Sequence, residues 1–213
     1  MRISHKHNFI FFCNPKTGSE SFREMLNPYS DLKVNNNVRK QSKSLPFYTH
    51  ISPSETKEIF KKLGWKFDNY FKIICTRNPY HRLVSLYEMI YKRRPDFLKP
   101  SFKNWLKKTN NKGDGGGGKD YHRWRKYGTY SLDNLVLDEN RNYLVDKIIK
   151  LEDLEEEVPA LFLKLNLPQL KSIVKKNVGR KSKKNQEYYD DELISVVQER
   201  YSWELKKFSY KLI

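Results

Sequence analysis

Two short stretches combine residue types that can grip a multiply charged anion. The first is Pro15-Lys16-Thr17-Gly18-Ser19-Glu20-Ser21. It follows an apolar run, and Phe22, Met25 and Leu26 recur after it at helical spacing. A loop that closes onto a helix N-terminus offers backbone N–H groups and the positive end of the helix dipole, which together attract phosphate or sulfate. Gly18 permits close backbone approach. Thr17, Ser19 and Ser21 add hydroxyls, and Lys16 adds a point charge able to follow negative charge as it develops on a bridging oxygen. Taken alone, the stretch reads equally well as an ordinary turn with a capping serine. The second stretch runs from Arg77-Asn78-Pro79 to Ser85-Leu86-Tyr87. Arg77 leaves another apolar run, and its planar guanidinium suits a phosphate. Ser85 lies a little over two helical turns further on, where its hydroxyl reaches the same anion if the loop folds back. Alone, Ser85 reads as a neutral helix residue and Arg82 as a surface or ion-pair residue.

A proton acceptor is sought among five histidines. His5 and His7 fall in a terminal tail, His122 in a glycine-rich stretch, and His81 at the start of the helix after Arg77. His50 ends an apolar stretch, Leu45 to His50, that reads as a strand. It precedes Ser52-Pro53-Ser54-Glu55, a capping box with proline at the first helical position. It is the favoured general base, with Glu20 and Glu88 in reserve. No metal-ligand spacing appears, and none is expected.

These residues need elements to position them. Phe9–Cys13, Phe71–Thr76 and Val145–Leu151 read as strands buried on both faces, with a short strand at Leu32–Val34. Helices are predicted after Ser19, after Ser52, from near Tyr80, over Leu154 to Leu165, and after Asp190. Strands alternating with helices predict an α/β domain with a mainly parallel sheet flanked by helices. Ligands of such sheets bind beyond the carboxyl ends of the strands, where Lys16–Ser21, His50 and Arg77 are expected to gather.

The 213 residues suit one domain, 1–213. Residues 92–128 stand out: twelve Lys/Arg and three Asp surround a Gly-rich run and six scattered aromatics, Phe97, Phe102, Trp105, Tyr121, Trp124 and Tyr127. This predicts a flexible basic–aromatic insertion on the acceptor side. Lys171 to Lys184 is a second basic loop, with seven Lys/Arg and no acid. The formal charge of +17 draws polyanions of every kind and chooses among none, and part of it is ascribed to a Lys-rich coding bias. Cys13 and Cys75 give no disulfide framework and read as buried thiols in strands. No apolar run approaches the roughly 20 residues of a membrane span, and no secretory signal is visible, so a cytoplasmic protein without a membrane span is expected.

Cys13-Asn14-Pro15-Lys16-Thr17-Gly18-Ser19 resembles the 5′-phosphosulfate loop of sulfotransferases that use 3′-phosphoadenosine 5′-phosphosulfate (PAPS). Arg77-Asn78-Pro79-Tyr80-His81-Arg82-Leu83-Val84-Ser85-Leu86-Tyr87 resembles their 3′-phosphate motif, in the form found in Golgi carbohydrate sulfotransferases and their soluble bacterial and viral relatives. Weaker echoes follow at Lys150–Leu154, Tyr188–Leu193 and Phe208–Tyr210, so the likeness runs through nearly the whole chain. The resemblance implies a P-loop-NTPase-like three-layer fold and PAPS as sulfuryl donor, with no metal. Lys16, Thr17, Gly18, Ser19 and Ser21 would hold the 5′-phosphosulfate, with Lys16 also catalytic. Arg77 and Ser85 would hold the 3′-phosphate, joined by Arg180. A catalytic histidine between the two motifs would be His50. The acceptor would be a hydroxyl, expected on a glycan. Two departures stand out: Glu20, where a small or hydroxyl residue is usual, and Trp203-Glu204, where an aspartate is usual.

Two other readings compete. A non-catalytic polyanion or nucleic-acid binder fits the charge but leaves the ordered pair of loops unexplained. A nucleotide-dependent kinase on a similar fold is disfavoured because Lys16 precedes the single glycine, contrary to G-x-x-x-x-G-K-[ST].

Overall fold

The computed structural model describes residues 1–35, 40–44, 46–113, 123–170, 172–174 and 185–212. The chain divides into two compact units, Met1–Thr76 with Leu135–Val178, and Arg77–Asn134 with Gly179–Ile213.

The first unit is built on a five-stranded sheet in the order β3-β1-β2-β4-β5. The strands are β1 (Arg2–Ser4), β2 (Phe9–Phe12), β3 (Leu32–Lys33), β4 (Phe71–Thr76) and β5 (Lys147–Lys150). β2, β4 and β5 are parallel, with Phe12 opposite Ile74 and Thr76 opposite Lys150. β1 is antiparallel to both β2 and β3. The sheet is therefore mixed, with a parallel half that carries the loops of interest. On one face Phe9, Phe11, Ile73, Cys75 and Ile149 pack against α1 (Ser19–Leu26) and α7 (Leu154–Lys164), through Phe22, Met25, Leu26, Leu154, Val158, Leu161 and Phe162. Ile10, Phe12 and Ile74 point the other way and are also buried, which is why these strands read as unbroken apolar runs.

Two expectations change here. His5 and His7 do not lie in a loose tail. β1 precedes them, and they occupy the turn of a hairpin whose Asp31 carboxylate accepts from Ser4 Oγ, His5 N and Lys6 N. With one apolar residue in three, β1 carries no legible period. Nor does His50 follow a strand: described residues 46–52 are irregular, with Pro46 lacking a ladder donor. Both cysteines are buried, and burial pushes the Cys75 thiol well up.

The second unit is helical: α3 (Pro79–Tyr91), α4 (Phe102–Lys108), α5 (Arg123–Thr129), α8 (Asp191–Arg200) and α9 (Ser202–Phe208). α6 (Asp133–Val136) spans the division between the units. α2 (Pro53–Lys62) belongs to the first unit. The aromatics assigned from sequence to an acceptor-side insertion divide: Phe102, Trp105 and Tyr127 are buried, while Phe97 is exposed. Phe102 and Trp105 join Tyr87, Leu83, Leu193 and Tyr201 in one core, at ordinary helical spacing within α4. Residues 114–122, including His122, lie outside the described residues.

At the centre of this unit Arg82 and Glu204 are both fully buried and paired in a fork: Nη1 to Oε2 at 2.8 Å and Nη2 to Oε1 at 3.0 Å. Arg82 Nη2 also donates to the Tyr130 carbonyl, and Leu132 N donates to Glu204. α3 is thereby tied to α9 and to the chain after α5. Glu204, which the sequence shows where the resemblance led one to expect an aspartate, thus has a buried partner. A buried pair of this kind adds little over an apolar substitute, yet removing one partner strands the other charge. Glu204→Leu is expected to lower unfolding free energy by about 3–5 kcal/mol, and Arg82→Met combined with it to recover a substantial part. Guanidinium unfolding of the wild type, the single and the double variants checks this.

Candidate functional site

β2 runs into Cys13–Gly18, which turns the chain onto α1. Asn14 is buried, and its Nδ2 donates to the Cys75 carbonyl on β4 at 3.1 Å, pinning the root of the loop to the neighbouring strand. Asn14 Oδ1 and, at the end of β4, Thr76 Oγ1 are buried polar atoms without a hydrogen-bond partner among the described residues. Incomplete polar satisfaction of this sort concentrates where a fold serves more than its own stability. Thr17 is fully buried and donates its hydroxyl to the Asn14 carbonyl at 2.8 Å, closing the loop on itself. That hydroxyl braces the loop, and its proton is committed there.

The turn needs two left-handed residues, Lys16 at φ 65° and Gly18 at φ 76°. Lys16 takes this conformation at a cost, the kind of local strain that collects at functional loops. Alternating backbone conformations of this type curl successive N–H groups toward one point. Gly18 is the N-cap of α1 and supplies no side-chain cap, so the helix opens on N–H groups that no capping side chain covers. Ser19 and Ser21 are buried in its first turn. Glu20 is exposed and lies 3.4 Å from Arg23. Its carboxylate is thus balanced along the helix, in the first turn where the dipole favours an acid.

Leu151, immediately after β5, lies beneath Gly18: a Cβ there would stand 2.5 Å from Leu151 Cδ1. The weak echo at Lys150–Leu154 therefore has a physical role as the floor of the loop.

His50 is brought to this loop. Its Nδ1 lies 2.7 Å from the carbonyl of Cys13. A carbonyl only accepts, so Nδ1 carries the proton and Nε2 keeps its lone pair. The flanking chain is held by Tyr48, whose hydroxyl donates to Glu55 at 2.7 Å, and by the Ser52–Glu55 capping box at the start of α2. Burial pushes the His50 imidazole down to about 4, against the Cys13 hydrogen bond, which favours the charged ring. At neutral pH the ring is uncharged, with a basic nitrogen.

The second motif begins the second unit. Arg77 follows the last residue of β4 and precedes Asn78, the N-cap of α3. Asn78 accepts from Tyr80 N at 3.1 Å and donates to the Lys211 carbonyl at 2.6 Å, and Pro79 opens the helix. Arg77 is thus set at the entrance of a well-capped helix, with half-buried Ser85 further along it. Of the reserve bases, Glu88 accepts from Tyr188 Oη at 2.7 Å, and Glu20 sits beside Arg23. Arg180 lies outside the described residues. Lys16 to Ser21 and His50 share the first unit, whereas Arg77 and Ser85 belong to the second. Sequence reasoning did not anticipate Asn14, Leu151 or the Arg82–Glu204 pair. Asn14 and Leu151 flank recognisable residues, but the long-range pairing of Arg82 with Glu204 leaves no local signal. Among the described residues no group of His, Cys, Asp and Glu is placed to hold a metal, and no helix is long and apolar enough to cross a membrane.

The model of the sulfotransferase family matches residues 1–211. The chain belongs to that family, whose P-loop-like α/β fold accords with the sheet and the strand–loop–helix unit described above. Searches of curated proteins and of solved structures find no match.

Two outcomes follow from this geometry. Gly18→Ala is expected to lose about 1–2 kcal/mol, the cost of placing a Cβ in a left-handed backbone, with Leu151 adding contact strain. Denaturant unfolding measures the loss. Between about pH 4 and pH 6.5 the unfolded chain binds a proton at His50 that the folded chain refuses, so stability from this residue falls as pH drops through that window. His50→Asn retains a donor to Cys13 and removes the titration. Its melting temperature should fall less than that of the wild type between those pH values, and equal slopes would contradict the assignment.

Proposed function

We propose that the chain is a single sulfotransferase domain that moves a sulfuryl group from PAPS to a hydroxyl, carried by a carbohydrate acceptor. The observation that carries the reading is the hydrogen bond between His50 and Cys13. It sets a neutral, correctly protonated imidazole against the root of an anion-binding loop, in a chain of this family.

On this reading the 5′-phosphosulfate rests against Lys16 and the N–H groups of Thr17 to Ser19, with the Ser19 and Ser21 hydroxyls at the helix start. Arg77 and Ser85 take the 3′-phosphate, joined by Arg180. Of the basic–aromatic segment 92–128, side chains other than the buried Phe102, Trp105 and Tyr127 supply the acceptor side. His50 Nε2 accepts the proton of the acceptor hydroxyl while that oxygen attacks sulfur in line. The bond from sulfur to the 5′-phosphate oxygen breaks, and the electron pair leaves with the nucleotide. Lys16 and the N-terminus of α1 stabilise the charge that grows on the departing oxygen. These groups supply the positive charge, so no metal is invoked. A base near pKa 4 has modest strength, but all of it is in the competent form at neutral pH.

Adding 3′-phosphoadenosine 5′-phosphate (PAP) at about a hundred times its dissociation constant should raise the melting temperature by roughly 5–10 °C, whereas magnesium–ATP should not. Lys16→Ala should cut transfer at least ~100-fold, and Arg77→Ala should weaken PAP binding by about ten- to a hundredfold. Absence of any PAP stabilisation would remove the donor assignment.

A further inference from the structure

The chain between α3 and α4, at the start of the segment proposed for the acceptor side, carries a feature that the sulfuryl-transfer step itself does not use. Residues 92–98, Lys92-Arg93-Arg94-Pro95-Asp96-Phe97-Leu98, are all exposed. Phe97 is 86% and Leu98 58% exposed, side by side in one tight turn, Asp96–Leu98. Single exposed apolar side chains are ordinary. An adjacent pair held outward on a braced turn is different, because local hydrogen bonding prevents it from folding back.

That bracing is explicit. Leu98 N donates to the Pro95 carbonyl at 3.0 Å, and Lys99 N to that of Asp96 at 3.1 Å. Lys99 Nζ neutralises Asp96 at 2.8 Å. Upstream, Arg94 N donates to the Tyr91 carbonyl at 2.9 Å, and its guanidinium stands 5.4 Å from the Tyr91 ring centroid. Downstream, the Tyr87 hydroxyl donates to the Pro100 carbonyl at 2.7 Å. Within residues 92–99 Asp96 is balanced by Lys99, and the net charge is that of Lys92, Arg93 and Arg94.

We propose that this turn docks the protein on an anionic lipid surface, with Phe97 and Leu98 entering the boundary between headgroups and acyl chains and Lys92, Arg93 and Arg94 lying among the lipid phosphates. An apolar wedge beside a basic cluster has the two components of interfacial binding. Leu98 decides between polyanions. A sugar or a nucleobase stacks on an aromatic face and gains little from an aliphatic neighbour held in water, whereas an acyl boundary accepts both side chains. Three basic residues match the negative charge of the headgroups. The inference is independent of the sulfuryl donor.

The test is co-sedimentation of the full chain with vesicles of phosphatidylcholine alone, and with vesicles containing about one-third phosphatidylserine. The chain is expected on the mixed vesicles and not on the neutral ones. Phe97→Ser with Leu98→Ser should weaken binding at least ~tenfold, and each of Lys92→Gln, Arg93→Gln and Arg94→Gln about fivefold. Heparin binding by the Phe97/Leu98 variant should remain as in the wild type. These side chains support no core, so unchanged circular dichroism and melting temperature establish that the variants fold. Failure of the wild type to bind mixed vesicles overturns the proposal. So does undiminished binding by the Phe97/Leu98 variant, which would reduce the effect to non-specific attraction of a basic protein. An equal loss of heparin binding would assign the turn to a glycan and overturn it as well.

Discussion

The curvature of six residues, Cys13 to Gly18, constrains the rest of the first unit. In that span the chain must leave a buried strand, turn through two left-handed positions and enter a helix with its first N–H groups uncapped. Three contacts make this possible: Asn14 to the Cys75 carbonyl, Thr17 to the Asn14 carbonyl, and Leu151 under Gly18. Each comes from a different strand end or from the loop itself. The parallel pairing of β2, β4 and β5 is therefore a condition for the loop, since only with carboxyl ends aligned do Cys75 and Leu151 lie within reach. His50 joins the same assembly through the Cys13 carbonyl, so the proposed base is registered against the loop by one short hydrogen bond.

Much of this was legible in the sequence, for identifiable reasons. β2 and β4 are buried strands that continuous apolar runs reveal, whereas β5, expected from Val145–Leu151 to be buried on both faces, lies at the sheet edge with Ile149 alone buried in a strand that begins and ends on lysine. α2 announced itself by a capping box whose every bond is present. β1 escaped because three residues with one apolar side chain carry no period, and its burial depends on partners in β2 and β3. The expected strand before His50 failed for a related reason: Phe47 and Tyr48 are buried individually, and their burial mimics a strand. In the candidate site, residue type and order pointed to the turn at Lys16 and Gly18 and to a histidine, His50, that the structure brings to its root. Thr17 shows the limit. Residue type marks it as a donor, and only coordinates reveal that its proton is already committed to Asn14.

The second unit is organised differently. Where the first places polar groups at the ends of strands, the second encloses an ion pair among helices. Arg82 lies in the helix that follows Arg77 and carries Ser85, so the Glu204 fork fixes the rotation of α3 about its own axis within that unit. Apolar contacts tolerate small rotations, but a bidentate pair does not, and Leu132 N and the Tyr130 carbonyl add to the polar shell, which leaves Arg82 Nε without a partner among the described residues. The pair thus contributes orientation more than net stability.

Lys16 sets two demands against each other. Its backbone occupies a region that glycine enters without penalty, while the proposed chemistry requires a long cationic side chain. Glycine at this position would relax the turn and lose the charge. Thermal tolerance and turnover therefore select for opposite residues at one site, and screening variants for heat resistance alone would drift toward sturdier, silent proteins.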